Sequence, residues 1–219
     1  MCLEYFHSPQ RSRTTISGSL IRPREAQDST AFEPNLSPEV IRLPQHYRVY
    51  NQAYPHFITS TIIYWIPVFC RDDYFRILAD SLTYCSTNRG LRIHGYVIMA
   101  NHFHAICSQV DAALSDVVRD MKKYTSRLIS AKLEEDGRAL WLAPMRKAGA
   151  ATGGARVWDE AFHPEQIESK PFFEQKLTYL HDNPVRAGYV LDPCDWKYSS
   201  ARFYYREETS LVPITPVEW

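Results

Sequence analysis

Apolar residues in the first half of the chain follow a strand pattern and then a helix pattern. Residues 57–64 combine β-branched and aromatic side chains over the length of a strand. We expect this strand to end at residues 65–67. From Asp72 to Asn88, apolar residues recur at steps of three and four, the period of an amphipathic helix. We therefore predict a strand followed by a helix.

The middle of the chain predicts a hairpin and a long basic helix. Residues 91–99 and 102–107 have strand composition and are separated by a short polar link, so we predict two paired strands. A long helix then starts near Asp111, because its apolar residues mark one face. Four cations lie off that face: Arg119, Lys122, Lys123 and Arg127.

The last third predicts a loop, a short strand and a third helix. Glycine and proline are frequent in residues 134–156, which predicts a loop or an insertion. A short strand follows within residues 157–167. Ser169 is a candidate helix cap with Pro171 in the first turn, and Asn183 and Pro184 are expected to end that helix.

The order of elements predicts an α+β fold with an antiparallel sheet and helices mainly on one face. Residues 1–47 follow neither period and predict a disordered N-terminal tail. The predicted domain covers residues 48–205 and includes an insertion near residues 134–156, and residues 206–219 form a predicted C-terminal tail. No stretch is both long and apolar enough to cross a bilayer.

Charge and cysteine content limit the kinds of partner and of metal site that the protein can have. Lys plus Arg and Asp plus Glu number 25 each, so nucleic-acid binding requires a local basic patch rather than the net charge. The five cysteines are scattered and contain no C-x-x-C pair, which argues against a disulfide framework and against a cysteine-built zinc site. We expect a soluble cytoplasmic protein with no membrane partner.

Two histidines form the first candidate site. His102 and His104 lie in a predicted strand, where alternate side chains project to the same side. Two neighbouring imidazoles suit a divalent ion that keeps positions open for a phosphate oxygen. A pair of surface histidines, or of hydrogen-bonded core histidines, fits the same pattern.

Tyr179 and Asn183 form the second candidate site. They lie one helical turn apart and share a face that differs from the apolar face of the predicted helix. A phenol outside the core can act as a nucleophile toward phosphorus, and an amide oxygen beside it can complete a metal site. An ordinary amphipathic tyrosine and a helix-end asparagine are the alternative interpretation.

Four segments resemble one known family. Residues 96–104 are similar to the histidine-hydrophobic-histidine strand of the HUH single-strand transposases, and residues 179–188 resemble the tyrosine helix of their REP-associated branch. Residues 122–126 and 198–201 also resemble that branch, and the four segments stand in the expected order. The resemblance extends from about Arg48 to Tyr205, with Ala100 where relatives often have proline.

The resemblance implies a ferredoxin-like fold and a specific chemistry. It implies that His102, His104 and Asn183 bind a divalent metal, Mg or Mn, and that Tyr179 is the catalytic nucleophile. The activity so implied is cleavage and rejoining of single-stranded or hairpin DNA through a 5′-phosphotyrosine intermediate. The alternatives are a non-catalytic protein that binds DNA hairpins and a metal-dependent nuclease that uses water.

The expected partner is single-stranded or hairpin DNA, bound by a monomer or a homodimer. The candidate phosphate contacts are Lys122, Lys123, Arg127, Arg186 and Lys197. A helix face that is merely exposed to solvent is the alternative interpretation of Lys122, Lys123 and Arg127. Four aromatic residues are candidates for base stacking or for packing: Tyr124, Trp196, Tyr198 and Tyr204.

Overall fold

The computed structural model describes residues 54–219, and the predicted N-terminal tail lies outside the described residues. The strands are β1 (His56–Thr61), β2 (Leu91–Ile98), β3 (His102–Gln109) and β4 (Glu165–Gln166). The helices are α1 (Asp72–Asn88), α2 (Leu114–Glu135), α3 (Ala139–Ala148), α4 (Lys170–Arg186) and α5 (Ala201–Arg206). The predicted hairpin is β2 and β3.

The strands form one antiparallel sheet in the order β2-β3-β1-β4. Thr59 pairs with His104 and Thr61 with His102, while Val97 of β2 faces His104 from the other side. Directly opposed residues project to the same face of a sheet. This register therefore assigns each strand residue to one of two faces, and the α+β prediction is confirmed.

Helices cover both faces of the sheet. On one face Ile58, Phe103 and Ala105 belong to a core that includes buried residues of α1, α2 and α3. On the other face Phe57, Val97 and Ile106 pack with Phe173, Leu177 and Leu180 of α4. Helices α1–α3 thus lie together on one face, as predicted. Helix α4 lies on the opposite face, which carries His102 and His104.

Several boundaries differ from the predicted ones: β1 ends at Thr61 rather than at residue 64, and α2 begins at Leu114 rather than near Asp111. The loop predicted for residues 134–156 is wrong over α3, which contains Pro144 and buries Leu142 and Met145 against the core. Helix α4 does not end at Asn183 but continues through the buried Pro184 to Arg186. Its start is correct, although the Ser169 side chain forms no capping hydrogen bond. Packing outweighs the local breaker signals in both helices.

The C-terminal residues contact the sheet and α4. Val212 is buried, the Thr215 amide donates to the Ile93 carbonyl at 2.8 Å, and the Trp219 ring lies 5.6 Å from that of Phe173. The segment predicted as a C-terminal tail therefore packs on the domain. Among the described residues no helix is long and apolar enough to span a membrane.

Candidate active site

His102 and His104 are the first and third residues of β3, which is one of the two central strands of the sheet. Their rings are 4.8 Å apart between centroids and nearly perpendicular, while Phe103 between them points into the opposite core. His104 is 6% exposed, and His102 is more accessible. Strand alternation therefore places two imidazoles side by side at one edge of the α4 face.

Each imidazole has one nitrogen engaged by a neighbouring side chain. His102 Nδ1 donates to Asn101 Oδ1 at 2.7 Å, and His104 Nδ1 is 2.8 Å from Thr59 Oγ1. Within residues 54–219, neither Nε2 atom forms a hydrogen bond. Metal-binding histidines characteristically use the other ring nitrogen in such an orienting bond, so the donor set fits a divalent ion.

Burial favours the neutral, ligating form of both imidazoles. Desolvation lowers the pKa of His102 below its ordinary value. It also lowers the pKa of His104 to about 3, with smaller contributions from the charges of His102 and Lys176. Both rings are therefore neutral at pH 7 and can donate a lone pair to a metal ion.

Tyr179 projects from α4 toward the histidine pair. Leu177 and Leu180 face the core, whereas Tyr179 stays 40% exposed with its ring 5.7 Å from that of His104. Its other neighbours are Phe57, at 6.0 Å between ring centroids, and the Arg186 guanidinium, 5.5 Å from the ring. The structure thus brings together the predicted nucleophile and the predicted metal ligands.

Asn183 lies one turn further along α4. Its side-chain nitrogen donates to the Tyr179 carbonyl at 2.8 Å, so the amide oxygen remains available. In the described part of the chain Asn183 forms no hydrogen bond with either histidine. No group of three His, Cys, Asp or Glu side chains suited to a metal occurs there either. Among the described residues, the Asn183 amide oxygen is therefore the remaining candidate for a third ligand beside the histidines.

Known proteins are similar to this chain in sequence and in fold. No family model matches it. A REP-associated tyrosine transposase of Escherichia coli (strain K12) is 19% identical over 140 residues, which are 64% of this chain and 71% of that protein. The solved structure of a REP-associated tyrosine transposase bound to a REP hairpin aligns with a TM-score of 0.56 and 19% identity. That alignment covers 80% of this chain and 94% of the other.

This chain resembles REP-associated tyrosine transposases in sequence and in fold. The resemblance inferred from the four motifs is thereby confirmed, and the solved structure shows that the fold is shared. The histidine strand and the tyrosine helix, two of the motifs that resemble REP-associated transposases, contact each other through His104 and Tyr179.

The five cations predicted to contact DNA do not form one cluster. Lys122, Lys123 and Arg127 lie on α2, which packs on the sheet face opposite the histidines. Lys122 donates to the Asp159 carbonyl at 2.6 Å, and Lys197 forms an ion pair with Asp72. Lys123 and Arg127 are exposed and have no acidic partner within the described residues. Arg186 alone adjoins Tyr179.

Three of the four aromatic candidates for base stacking have packing roles. Tyr198 is stacked on Phe75 at 4.1 Å, Trp196 donates to the Ile98 carbonyl, and Tyr204 donates to the His94 carbonyl. Tyr124 is exposed.

Sequence reasoning missed several neighbours of the histidines. Thr59 reaches His104 only through the β1–β3 register, which no sequence pattern specifies. Asn101 adjoins His102 in the sequence, and its polar side chain just before the pair was an available signal. Trp65 lies 6.1 Å from His102 between ring centroids, although its place in the sequence predicts only that a strand ends there.

Proposed function

We propose that this chain cleaves and rejoins single-stranded or hairpin DNA, with Tyr179 as the nucleophile. The observation that supports this most directly is the contact between the half-exposed Tyr179 ring and His104, whose Nε2 atom has no protein partner in the described chain. A nucleophile and a candidate phosphate-binding centre thus lie in one accessible place. The likeness to a REP-associated tyrosine transposase points to the same chemistry.

His102 and His104 would hold the divalent ion, Mg or Mn, through their Nε2 atoms, and the Asn183 amide oxygen would complete the set. When bound, such an ion withdraws charge from the scissile phosphate and orients it. The hydrogen bonds that His102 Nδ1 donates to Asn101 Oδ1 and His104 Nδ1 to Thr59 Oγ1 would keep the two rings oriented for this role.

In the proposed step, the Tyr179 oxygen forms a bond to phosphorus and the bond between phosphorus and the 3′-oxygen breaks. The phenolic proton leaves to solvent, and the departing oxygen takes up a proton to become a 3′-hydroxyl. The 5′-phosphotyrosine retains the energy of the phosphodiester, so a second 3′-hydroxyl can reverse the step without ATP. The Arg186 guanidinium lies 5.5 Å from the centroid of the Tyr179 ring and is the one predicted phosphate contact beside the proposed nucleophile.

The proposed substrate is a DNA hairpin with a single-stranded flank. The related solved structure is bound to a REP hairpin. Lys123 and Arg127 lie on the sheet face opposite the histidines, so they would contact the part of a hairpin that extends beyond the cleavage site. An exposed phenol on a helix surface can reach phosphorus only if the backbone bends into the site. A fully paired blunt duplex is therefore expected to be a poor substrate.

The test is a denaturing gel that detects a covalent adduct between the protein and end-labelled hairpin DNA. The wild type should form the adduct with Mg²⁺ or Mn²⁺, and Tyr179→Phe should lose it while keeping hairpin affinity within about twofold, because only the phenolic oxygen is removed. Tyr189→Phe is the matched control, since Tyr189 is also exposed and is stacked on Trp196 beyond the end of α4. An adduct that persists in Tyr179→Phe would contradict the proposal.

The two alternatives predict different results in the same assay. A non-catalytic hairpin-binding protein gives binding without cleavage or adduct in the wild type. A metal-dependent nuclease cleaves without an adduct and retains its activity in Tyr179→Phe. The proposed transposase-type reaction requires both Tyr179 and the metal, so EDTA, His102→Ala and His104→Ala should each abolish adduct formation.

A further inference from the structure

Tyr64 and Trp65 form an exposed aromatic pair in the 3-10 turn Ile63–Trp65 that follows β1. Their exposed fractions are 64% and 66%, which leaves two large rings largely in solvent. Both residues have a φ of 56°, in the left-handed region that side chains other than glycine rarely adopt. Such backbone strain persists only where the surrounding structure enforces it, and it is common at functional sites.

The surrounding backbone holds this strained pair in place. Ile63 is buried and its amide donates to the Val157 carbonyl at 2.9 Å, while the Trp65 amide donates to the Ile62 carbonyl at 3.0 Å. On the other side, the Asn101 side chain donates to the Trp65 carbonyl at 3.4 Å. The two rings are therefore presented outward by a fixed backbone.

The aromatic pair adjoins the candidate metal ligands. The Trp65 ring is 6.1 Å from that of His102, at an interplanar angle of 63°. Asn101 contacts both residues, because its oxygen accepts from His102 Nδ1 and its nitrogen donates to the Trp65 carbonyl. A nucleotide whose phosphate lay at His102 would thus have its base within reach of Trp65.

We propose that Tyr64 and Trp65 are a stacking platform for unpaired nucleobases of the DNA strand next to the scissile phosphate. The inference rests on the proposed function for the presence of DNA at His102. Aromatic rings beside a phosphate-binding centre suit single-stranded nucleic acid, because every base offers a flat face for stacking. Tyr84 and Tyr124 are also exposed, but they belong to α1 and α2 on the opposite sheet face.

The test compares two labelled DNA ligands by fluorescence anisotropy, a hairpin with a single-stranded flank and the same hairpin without one. Trp65→Ala should weaken binding of the flanked hairpin by about 5- to 100-fold, and Tyr64→Ala should act in the same direction. Binding of the hairpin without a flank should stay within about twofold. Tyr84→Ala, which removes an equally exposed ring, is the control and should change neither affinity.

Two further variants separate stacking from folding. Trp65→Phe keeps a flat ring and should recover most of the lost affinity. Trp65→Gly removes the ring but suits the positive φ, so it should lose affinity for the flanked hairpin without a lower melting temperature. A 2-aminopurine base in the flank should be quenched on binding to the wild type and not on binding to Trp65→Ala.

The possible results keep this inference distinct from the proposed function. Flank binding that depends on Trp65, in a wild type that forms no adduct, supports the stacking platform while refuting the cleavage reaction. A wild type that forms the adduct, together with unchanged flank affinity in Trp65→Ala and Trp65→Gly, overturns the platform and leaves the reaction intact.

Discussion

The Tyr179 ring lies edge-on to the His104 imidazole, 5.7 Å away between centroids, although the two residues belong to a helix and a strand far apart in the sequence. The contact exists because α4 packs on the sheet face to which His104 points. Leu177 and Leu180 anchor α4 in that core and leave Tyr179 at its margin. Helix packing thus positions the proposed nucleophile.

The hydroxyl of Thr59 should influence metal affinity through His104. Thr59→Val keeps the side-chain shape but removes the partner of His104 Nδ1, 2.8 Å away, so Mn²⁺ affinity should fall by about 10- to 100-fold. Titration calorimetry with Mn²⁺ measures this. Thr61→Val is the matched control, since Thr61 lies on the same strand face opposite His102 and its hydroxyl has no hydrogen-bond partner in residues 54–219. Equal affinities for the two variants would refute the orienting role.

Much of the sheet and of the site could be predicted because local patterns and packing agree there. The alternation of residues 102–107 fixed the shared face of His102 and His104, and the Tyr179–Asn183 spacing fixed one helix face. Helix α3 could not be predicted in this way. Pro144 and the flanking glycines signal a loop, and only the burial of Leu142 and Met145 stabilises the helix.

The aromatic pair shows a second limit of sequence patterns. Tyr64 is the last residue of the run predicted to form a strand and Trp65 follows it, and their composition alone predicts burial. Their exposure arises from the turn after β1, where Ile63 bonds to Val157 and the next two residues take positive φ. A contact with a distant segment therefore determines their orientation.

Acid should destabilise the fold partly through His94. Burial lowers the pKa of His94, whose Nδ1 bonds to the Thr215 carbonyl and whose Nε2 bonds to the Ser108 hydroxyl, with Arg92 opposing its charge. The unfolded chain binds the proton more readily, so the free energy of unfolding should fall as the pH drops below about 6.5. One proton accounts for at most about 1.4 kcal/mol per pH unit.

Urea unfolding at pH 7.5 and pH 5.0 checks this dependence. His94→Asn should lower stability at pH 7.5 but show a smaller further loss at pH 5.0, because the titrating group is gone. His56, His104 and His181 also have pKa values lowered by burial and stay in the variant, so much of the acid sensitivity should remain. The same loss in both proteins would show that His94 does not contribute.

The salt dependence of hairpin binding should report on Lys123 and Arg127. Both are exposed and lack acidic partners in the described chain, whereas Lys122 is engaged by the Asp159 carbonyl and Arg119 by Asp116. If both contact phosphates, their joint replacement by Ala should make the slope of log affinity against log salt shallower by about 0.7 to 0.9 per contact.

The control for this measurement removes the same charge elsewhere. Arg92→Ala with Lys147→Ala alters β2 and α3 and should leave the slope unchanged. Anisotropy titrations between 50 and 200 mM salt, about the range over which such slopes are measured, resolve the difference. If the slope changes only in the variant with Arg92→Ala and Lys147→Ala, the DNA binds a surface other than that of Lys123 and Arg127.

Ser200 should stabilise the position of α4, and through it the position of Tyr179. Its hydroxyl accepts from the Tyr96 amide of β2 at 3.0 Å and is 2.8 Å from Nε2 of His181, which is fully buried on α4. Ser200→Ala leaves that imidazole without this partner, in a place that water does not reach. We expect a loss of about 1–3 kcal/mol in the free energy of unfolding, because an unsatisfied buried polar group carries its full desolvation cost.

The rate of adduct formation distinguishes a positioning role of the Ser200 hydrogen bond from a general effect on stability. Tyr179 precedes His181 by two residues, so a shift of α4 against β2 should slow adduct formation at temperatures where Ser200→Ala is still folded, with hairpin affinity little changed. Ser130→Ala is the matched control, because the Ser130 hydroxyl bonds only to the Ser126 carbonyl within α2. Thermal unfolding and single-turnover adduct formation should be measured on both variants. If Ser200→Ala loses stability but forms the adduct at the wild-type rate, Ser200 supports the fold without positioning the tyrosine.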